Sequence, residues 1–170
     1  MLYTHILVPT DFSTAAHQAL AYAFEEATQH QAKLTLLHVM QHHPATEVYY
    51  VTGSPEASQA GYAPELGSRL PSPPTRPPET VRRGYNEEVL VQLQDLVPAS
   101  FTGSWQTQVA TGDPADAIVQ VAQEIAVDLI VMATHGRTGL QHVFLGSVAE
   151  KVVRHVPCPV LTVRYRKEAV

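Results

Sequence analysis

Residues 128–134 read Asp128-Leu129-Ile130-Val131-Met132-Ala133-Thr134, in which one acidic residue precedes five consecutive apolar residues. A short run that is apolar at every position is typical of a parallel strand with both faces covered. We therefore place residues 129–133 at the centre of a parallel sheet. Helices are expected on both faces of that sheet.

The segments on either side of this strand repeat the alternation of strand and helix. Ser13 is suited to cap a helix, and Asp113 followed by Pro114 is a strong helix start, since proline at the first helical position loses no hydrogen bond. The pattern predicts an α/β protein with a single doubly wound parallel sheet. Its strands are expected at 5–8, 34–39, 105–111, 129–133 and 160–163, and its helices at about 13–27, 81–98, 113–125 and 147–155.

Composition limits the class of protein. A chain of 170 residues with 45% hydrophobic and 16% charged residues is sufficient for one folded domain, so we expect a single domain over 1–170. The net charge of −5 argues against nucleic acid or an anionic membrane as a partner. Cys158 is the only cysteine, which excludes an internal disulfide and any cysteine-based metal site within one chain. No metal site is expected, and without a signal peptide or spanning segment we expect a cytoplasmic protein.

Residues 41–80 interrupt the alternation. The stretch holds most of the 13 prolines and has no sustained periodicity, so we interpret it as a long proline-rich excursion from the domain. Tyr49, Tyr50, Val51 and Tyr62 are the exception within it, and we expect them to cover an apolar surface of this subunit or of a partner.

The chemistry is expected at the carboxyl ends of the strands, where doubly wound sheets bind ligands. After the central strand come Gly136, Gly139 and Gly146-Ser147, the last pair at the start of a helix. Free backbone N–H groups and the positive end of the helix dipole favour an anion there, and a triphosphate would fit. Ser147 with Glu150 also matches a capping box, so the hydroxyl could serve the helix alone. Neither a Walker A loop nor a dinucleotide fingerprint is present.

The chain resembles the universal stress protein family over nearly its whole length outside the excursion. The resemblance rests on Ile6-Leu7-Val8-Pro9-Thr10-Asp11-Phe12-Ser13, Leu36-Leu37-His38-Val39, Gly112-Asp113-Pro114 and the block 134–163. It implies a five-stranded sheet of order 3-2-1-4-5 in an adenine nucleotide alpha hydrolase-like fold. It also implies a homodimer formed through the last strand, and bound ATP in the nucleotide-binding subgroup.

The resemblance also assigns site residues. The subgroup's pattern is Gly-x-x-Gly, nine residues, then Gly-Ser, and here Gly136 and Gly146-Ser147 fit in register while Ala133 stands at the first glycine. Pro9, Thr10, Asp11 and the backbone at Val39 would hold the adenosine, and Met132 would pack on the base. The phosphates, with Mg²⁺ where it accompanies them, would be held by Gly136, Gly146, Ser147 and Val148, with His135 and Arg137 nearby.

Each of these assignments has a plainer alternative. Asp11 could cap the first helix, His135 could be structural, and Arg137 could form a surface ion pair. Asp113 is expected to be an N-cap, with a water-mediated phosphate contact as the alternative.

Three functions are compatible with these residues. The first is a dimeric regulatory protein of the stress response that binds ATP and is read by an unidentified protein partner. The second is a slow ATPase or phosphotransferase, against which stands the lack of paired carboxylates or an evident base. The third is a dimeric adaptor that binds no nucleotide, because the methyl group of Ala133 would crowd the ribose.

Overall fold

The computed structural model describes residues 3–41, 79–134 and 145–165, with the backbone alone over 79–85. The chain forms two compact units, one of residues 1–41 and 87–170 and the other of residues 42–86. The elements in chain order are β1 (His5–Pro9), α1 (Thr14–His30), β2 (Lys33–Met40), α2 (Glu79–Asp95), β3 (Trp105–Thr111), α3 (Pro114–Glu124), β4 (Leu129–Ala133), α4 (Ser147–His155) and β5 (Val160–Val163).

The five strands form one parallel sheet in the order β3-β2-β1-β4-β5, as the resemblance implied. Strand β1 pairs with β2 from His5 opposite Lys33 to Pro9 opposite Leu37, and on its other side Ile6 pairs with Leu129. The order reverses between β1 and β4, which is the switch point of the sheet.

Alternate residues of β1 belong to different halves of the core, because successive side chains of a strand point to opposite faces. Ile6 and Val8 pack with the buried side chains of α1 and α2, such as Leu20 and Leu93. Leu7 packs on the other face with α3 and α4. All three β1 residues are fully buried, so helices cover both faces of the sheet at its centre.

Several predicted boundaries require correction. Strand β1 continues to Pro9 and β2 runs from Lys33 to Met40, because the parallel ladder extends one residue beyond the apolar runs. Helix α2 begins at Glu79, so residues 79 and 80 are helical and do not belong to the excursion, and the helix ends at Asp95, before Pro98. Residues 42–78 of the excursion, including Tyr49 to Val51 and Tyr62, lie outside the described residues.

Within the described parts of the chain, none of the helices combines the length and the apolar character that crossing a membrane requires.

Candidate functional site

The predicted site residues that the structure describes lie at or near the carboxyl edge of the sheet. Pro9 ends β1 and Ala133 ends β4, the two strands on either side of the switch point. Val39 lies one residue before the end of β2. His135, Gly136 and Arg137 lie outside the described residues, so their assigned roles stay predictions.

The loop from Thr10 to Ser13 is held by its own side chains. Thr10 is buried, and its hydroxyl accepts a hydrogen bond from the amide of Phe12 at 3.1 Å. Oδ1 of Asp11 accepts from the amide of Ser13 at 3.0 Å, and Oγ of Ser13 accepts from the amide of Ala16 at 3.2 Å. These bonds satisfy backbone donors that a turn into a helix would otherwise leave open.

Asp11 therefore does not cap α1, contrary to the alternative for this residue. Ser13 is the N-cap of α1, as predicted, and Asp11 forms a turn two residues earlier by accepting from the Ser13 amide. Such Asx turns are a common use of aspartate immediately before a helix. The turn fixes the position of the Asp11 carboxylate beside the end of β1.

Phe12 has a left-handed backbone conformation, with φ of 62°. For a bulky residue this conformation costs about 1–2 kcal/mol. The ring of Phe12 packs on the imidazole of His38, with 4.8 Å between ring centroids, and against the α1 side of the core. Tertiary contacts therefore stabilise a conformation that the local sequence disfavours.

The start of α4 differs from the prediction of a capping box. Gly146 is the N-cap, with φ of −66° and ψ of 154°, and no side chain in the described part of the chain caps the helix. Ser147 is the first helical residue and is exposed, while the carboxylate of Glu150 pairs with Arg154 at 2.8 Å. The capping box is thus wrong, because Ser147 lies one position too far into the helix to act as its cap. The first-turn amides of α4 have no partner within the helix.

Thr134 connects this helix start to the sheet. Its amide donates to the carbonyl of Val163 at 2.9 Å, and its carbonyl accepts from the amide of Gly146 at 2.7 Å. Thr134 is buried, with 6% of its surface exposed. The N-terminus of α4 is thereby tied to the carboxyl ends of β4 and β5.

The apolar residues of the predicted site divide between the two faces of the sheet. Met132 is 5% exposed and packs in the half of the core that α3 and α4 cover. Val39 and Val148 are partly buried and pack against the same half of the core. Ala133 contacts the core on the α1 side. The packing of Met132 on a base remains a prediction, since the described contacts of its side chain are with the core.

Asp113 is the N-cap of α3, as predicted. Its Oδ1 accepts from the amides of Ala115 and Asp116, both at 3.1 Å, and lies 3.2 Å from Nζ of Lys151 on α4. The hydrogen bond from the Asp116 amide, followed by that from Lys151, lowers the pKa of the Asp113 carboxyl. This carboxylate has a structural role in joining α3 to α4.

Sequence reasoning missed three residues near the site: Phe12, His38 and Thr134. Phe12 and His38 belong to the quoted motifs but received no role, and Thr134 begins the segment expected to carry function but received no role of its own. The available signal for His38 was a side chain capable of hydrogen bonding near the carboxyl end of the largely apolar strand β2.

Comparison with known proteins decides the family. The model of the universal stress protein family matches residues 2–164. The chain belongs to the universal stress protein family. A universal stress protein of Methanocaldococcus jannaschii is 31% identical to it over 167 residues, which cover 98% of this chain and 85% of that protein.

Solved structures of universal stress proteins have the same fold. UspA from Lactobacillus plantarum is 28% identical, with a TM-score of 0.66 over 96% of this chain and 99% of its own. A universal stress protein in complex with cAMP superimposes with a TM-score of 0.61 over 98% of this chain and 100% of its own, at 22% identity. One from Archaeoglobus fulgidus in complex with dAMP superimposes at 0.51, over 95% of this chain and 98% of its own, at 18% identity.

Proposed function

We propose that this universal stress protein binds ATP at the carboxyl edge of its sheet and acts as a regulatory protein of the stress response. The observation that carries the proposal is the start of α4, where Gly146 is the N-cap and, among the residues that the structure describes, no side chain caps the first-turn amides. An anion is the natural partner for such amides.

The donor groups present fit a nucleotide. The amides of Ser147 and Val148 and the exposed Ser147 hydroxyl offer hydrogen bonds to phosphate oxygens. Across the switch point, the Asp11 carboxylate and the backbone at Val39 offer acceptors to the ribose hydroxyls and the exocyclic amine of adenine. Gly136, with His135 and Arg137, would complete the phosphate site, and Mg²⁺ would accompany the triphosphate.

The two nucleotide complexes of universal stress proteins motivate adenine as the base. Those proteins hold cAMP and dAMP in the same fold. In this chain the alanine at position 133 adds one methyl group at the end of β4, where the family pattern has glycine. A small displacement of the sugar would accommodate it.

We further propose a homodimer formed by β5. This strand is at one edge of the sheet, and Leu161 is 36% exposed on it. Pairing β5 with its twofold mate would cover both the apolar side chain and the open strand edge. The family match over residues 2–164 also supports a single universal stress protein domain, for which we propose a cytoplasmic location.

Calorimetric titration tests the proposal directly. ATP, ADP, AMP, cAMP and dAMP are titrated into the purified protein with and without Mg²⁺, and GTP serves as the control for the base. Saturable binding of adenine nucleotides, tightest for ATP, is the expected result. Absence of binding by all of them would favour a nucleotide-free adaptor, and release of phosphate at a rate proportional to enzyme would favour an ATPase.

A further inference from the structure

The side chain of His38 joins β2 to the loop that follows β1. Its Nδ1 lies 2.8 Å from the carbonyl oxygen of Thr10. Because a carbonyl oxygen only accepts, the imidazole donates from Nδ1. Thr10 follows the last paired residue of β1, and its amide also donates to the carbonyl of Leu37 on β2 at 2.8 Å.

Both of the backbone groups of Thr10 are thus bonded to β2 or its side chains. The amide is bonded to the strand backbone and the carbonyl to His38, so the loop leaves β1 in one fixed direction. The same imidazole contacts the ring of Phe12, whose left-handed conformation makes the chain turn back toward α1. His38 therefore contacts the loop on both sides of Asp11.

We infer that His38 is a positioning residue of the nucleotide site, and this inference rests on the proposed function. Its hydrogen bond to Thr10 fixes the turn that presents the Asp11 carboxylate to the ligand, while its contact with Phe12 contributes packing. Without the Nδ1 donor the Thr10 amide still bonds the loop to β2 but the Thr10 carbonyl does not, and Asp11 samples positions that do not meet the ribose. The effect on affinity is indirect, because His38 acts through the loop.

Two substitutions separate the donor from the ring. His38→Phe keeps an aromatic ring for Phe12 but removes the donor, whereas His38→Asn places an amide nitrogen near Nδ1 and removes the ring. His38→Phe is expected to weaken ATP binding by about three- to tenfold, the effect of one net hydrogen bond. His38→Asn is expected to retain affinity within about twofold of the parent protein, because it keeps the donor. If His38 acted only by packing its ring on Phe12, this variant would lose affinity instead.

His5 provides a matched control on the neighbouring strand. Its Nδ1 likewise lies near a backbone carbonyl, that of Ile125 at 3.2 Å, but at the opposite, amino edge of the sheet. His5→Phe removes the same type of bond, together with the 2.8 Å bond of Nε2 to the Thr35 hydroxyl, and ATP affinity should stay at the parent value. Urea unfolding of each variant reports the accompanying change in stability.

Each outcome of the titrations bears on the inference. Parent-like affinity in His38→Phe, or an equal loss in His5→Phe, would overturn the positioning role while leaving the proposed function intact. Absence of binding by the parent protein would overturn both. Nuclear magnetic resonance of the imidazole nitrogens adds a test without ligand, since His38 should carry its proton on Nδ1 at neutral pH, and a proton on Nε2 alone would contradict the geometry.

Discussion

The amide of Gly146 donates a 2.7 Å hydrogen bond to the carbonyl of Thr134, so the residue after β4 and the cap of α4 are in direct contact. The end of β4 and the start of α4 therefore meet at one point of the sheet edge. This bond holds the first-turn amides of α4 beside the end of β4, and among the described residues no side chain caps them.

Substitutions of Gly146 should separate stability from binding. Its φ of −66° is accessible to every residue, so Gly146→Val should fold with a loss of about 1 kcal/mol or less. The branched side chain would occupy the space of the phosphates, and calorimetry should detect no ATP binding. Gly146→Ser is the matched variant, since a serine cap should slightly stabilise α4 while its hydroxyl competes for the amides. Stability should rise and affinity fall, and unchanged affinity in both variants would contradict the phosphate site.

Ser147→Ala should reduce ATP affinity with little effect on the fold. Because Ser147 is exposed and is not the cap of α4, we expect the free energy of unfolding to change by less than about 0.5 kcal/mol. Loss of a hydrogen bond to a charged phosphate should weaken ATP binding by about tenfold. Ser104→Ala, at an exposed serine beside the amino end of β3, is the control, and an equal effect of the two changes would exclude a specific contact.

Removing the cap of α3 should destabilise the protein. Asp113→Ala eliminates the acceptor for two amides and should cost about 1 kcal/mol in urea unfolding at pH 7. Asp113→Asn retains a good capping side chain without the charge, so most of the stability should remain.

The pH dependence at Asp113 has a defined sign. Its pKa is lower in the folded state, so the ionised carboxylate stabilises the fold above the ordinary value of 3.8, and this contribution is lost as the pH falls through the folded-state pKa. Unfolding of the parent and of Asp113→Asn should therefore converge in stability under acid conditions. A constant difference between them down to pH 2 would contradict the assignment.

His5 should make stability fall on mild acidification. Burial, together with the charge of Lys33, lowers the pKa of His5 from 6.5, against the opposing effects of Ile125 and Asp128. The unfolded chain therefore takes up the proton first, and stability is lost as the pH drops below about 6.5. The urea midpoint of the parent protein should fall between pH 7.5 and 5.5 more steeply than that of His5→Gln. Parallel curves would show that His5 does not contribute.

The proposed dimer is testable at Leu161. A lysine at this exposed position of β5 should give a monomer in light scattering at micromolar concentration, because pairing two strands would bring like charges together. Val91 on α2 is 54% exposed, and Val91→Lys should leave the dimer unchanged. A parent protein that is monomeric at this concentration would refute the interface.

The sheet could be predicted because its signals are local. Leu129–Ala133 is apolar at every position and forms β4, an interior strand beside the central β1, and Asp113 with Pro114 begins α3 as expected. The ends of the strands were predicted less accurately. Beyond the apolar runs the strands are paired through backbone groups, which the side-chain pattern does not reveal. Pro9 illustrates this, because it pairs in register with Leu37 although proline usually ends a strand.

The details of the site depended on contacts between distant residues. The left-handed conformation of Phe12 has no local signal, since Asn or Gly would be favoured there, and it is stabilised by His38 from another strand. Ser13 and Asp113 were predicted correctly as N-caps, but the alternative capping roles of Asp11 and Ser147 were wrong by two positions and one position, because several adjacent residues could cap each helix.

The loop from Thr10 to Ser13 also affects the entropic cost of ligand binding. The amides of the loop and of the first turn of α1 already donate to the side chains of Thr10, Asp11 and Ser13, and the Thr10 carbonyl accepts from His38, so this part of the proposed site is formed before a ligand binds. Association then forfeits little conformational entropy in this part of the site. A preformed loop of this kind favours ligands that bind without a conformational change of the protein.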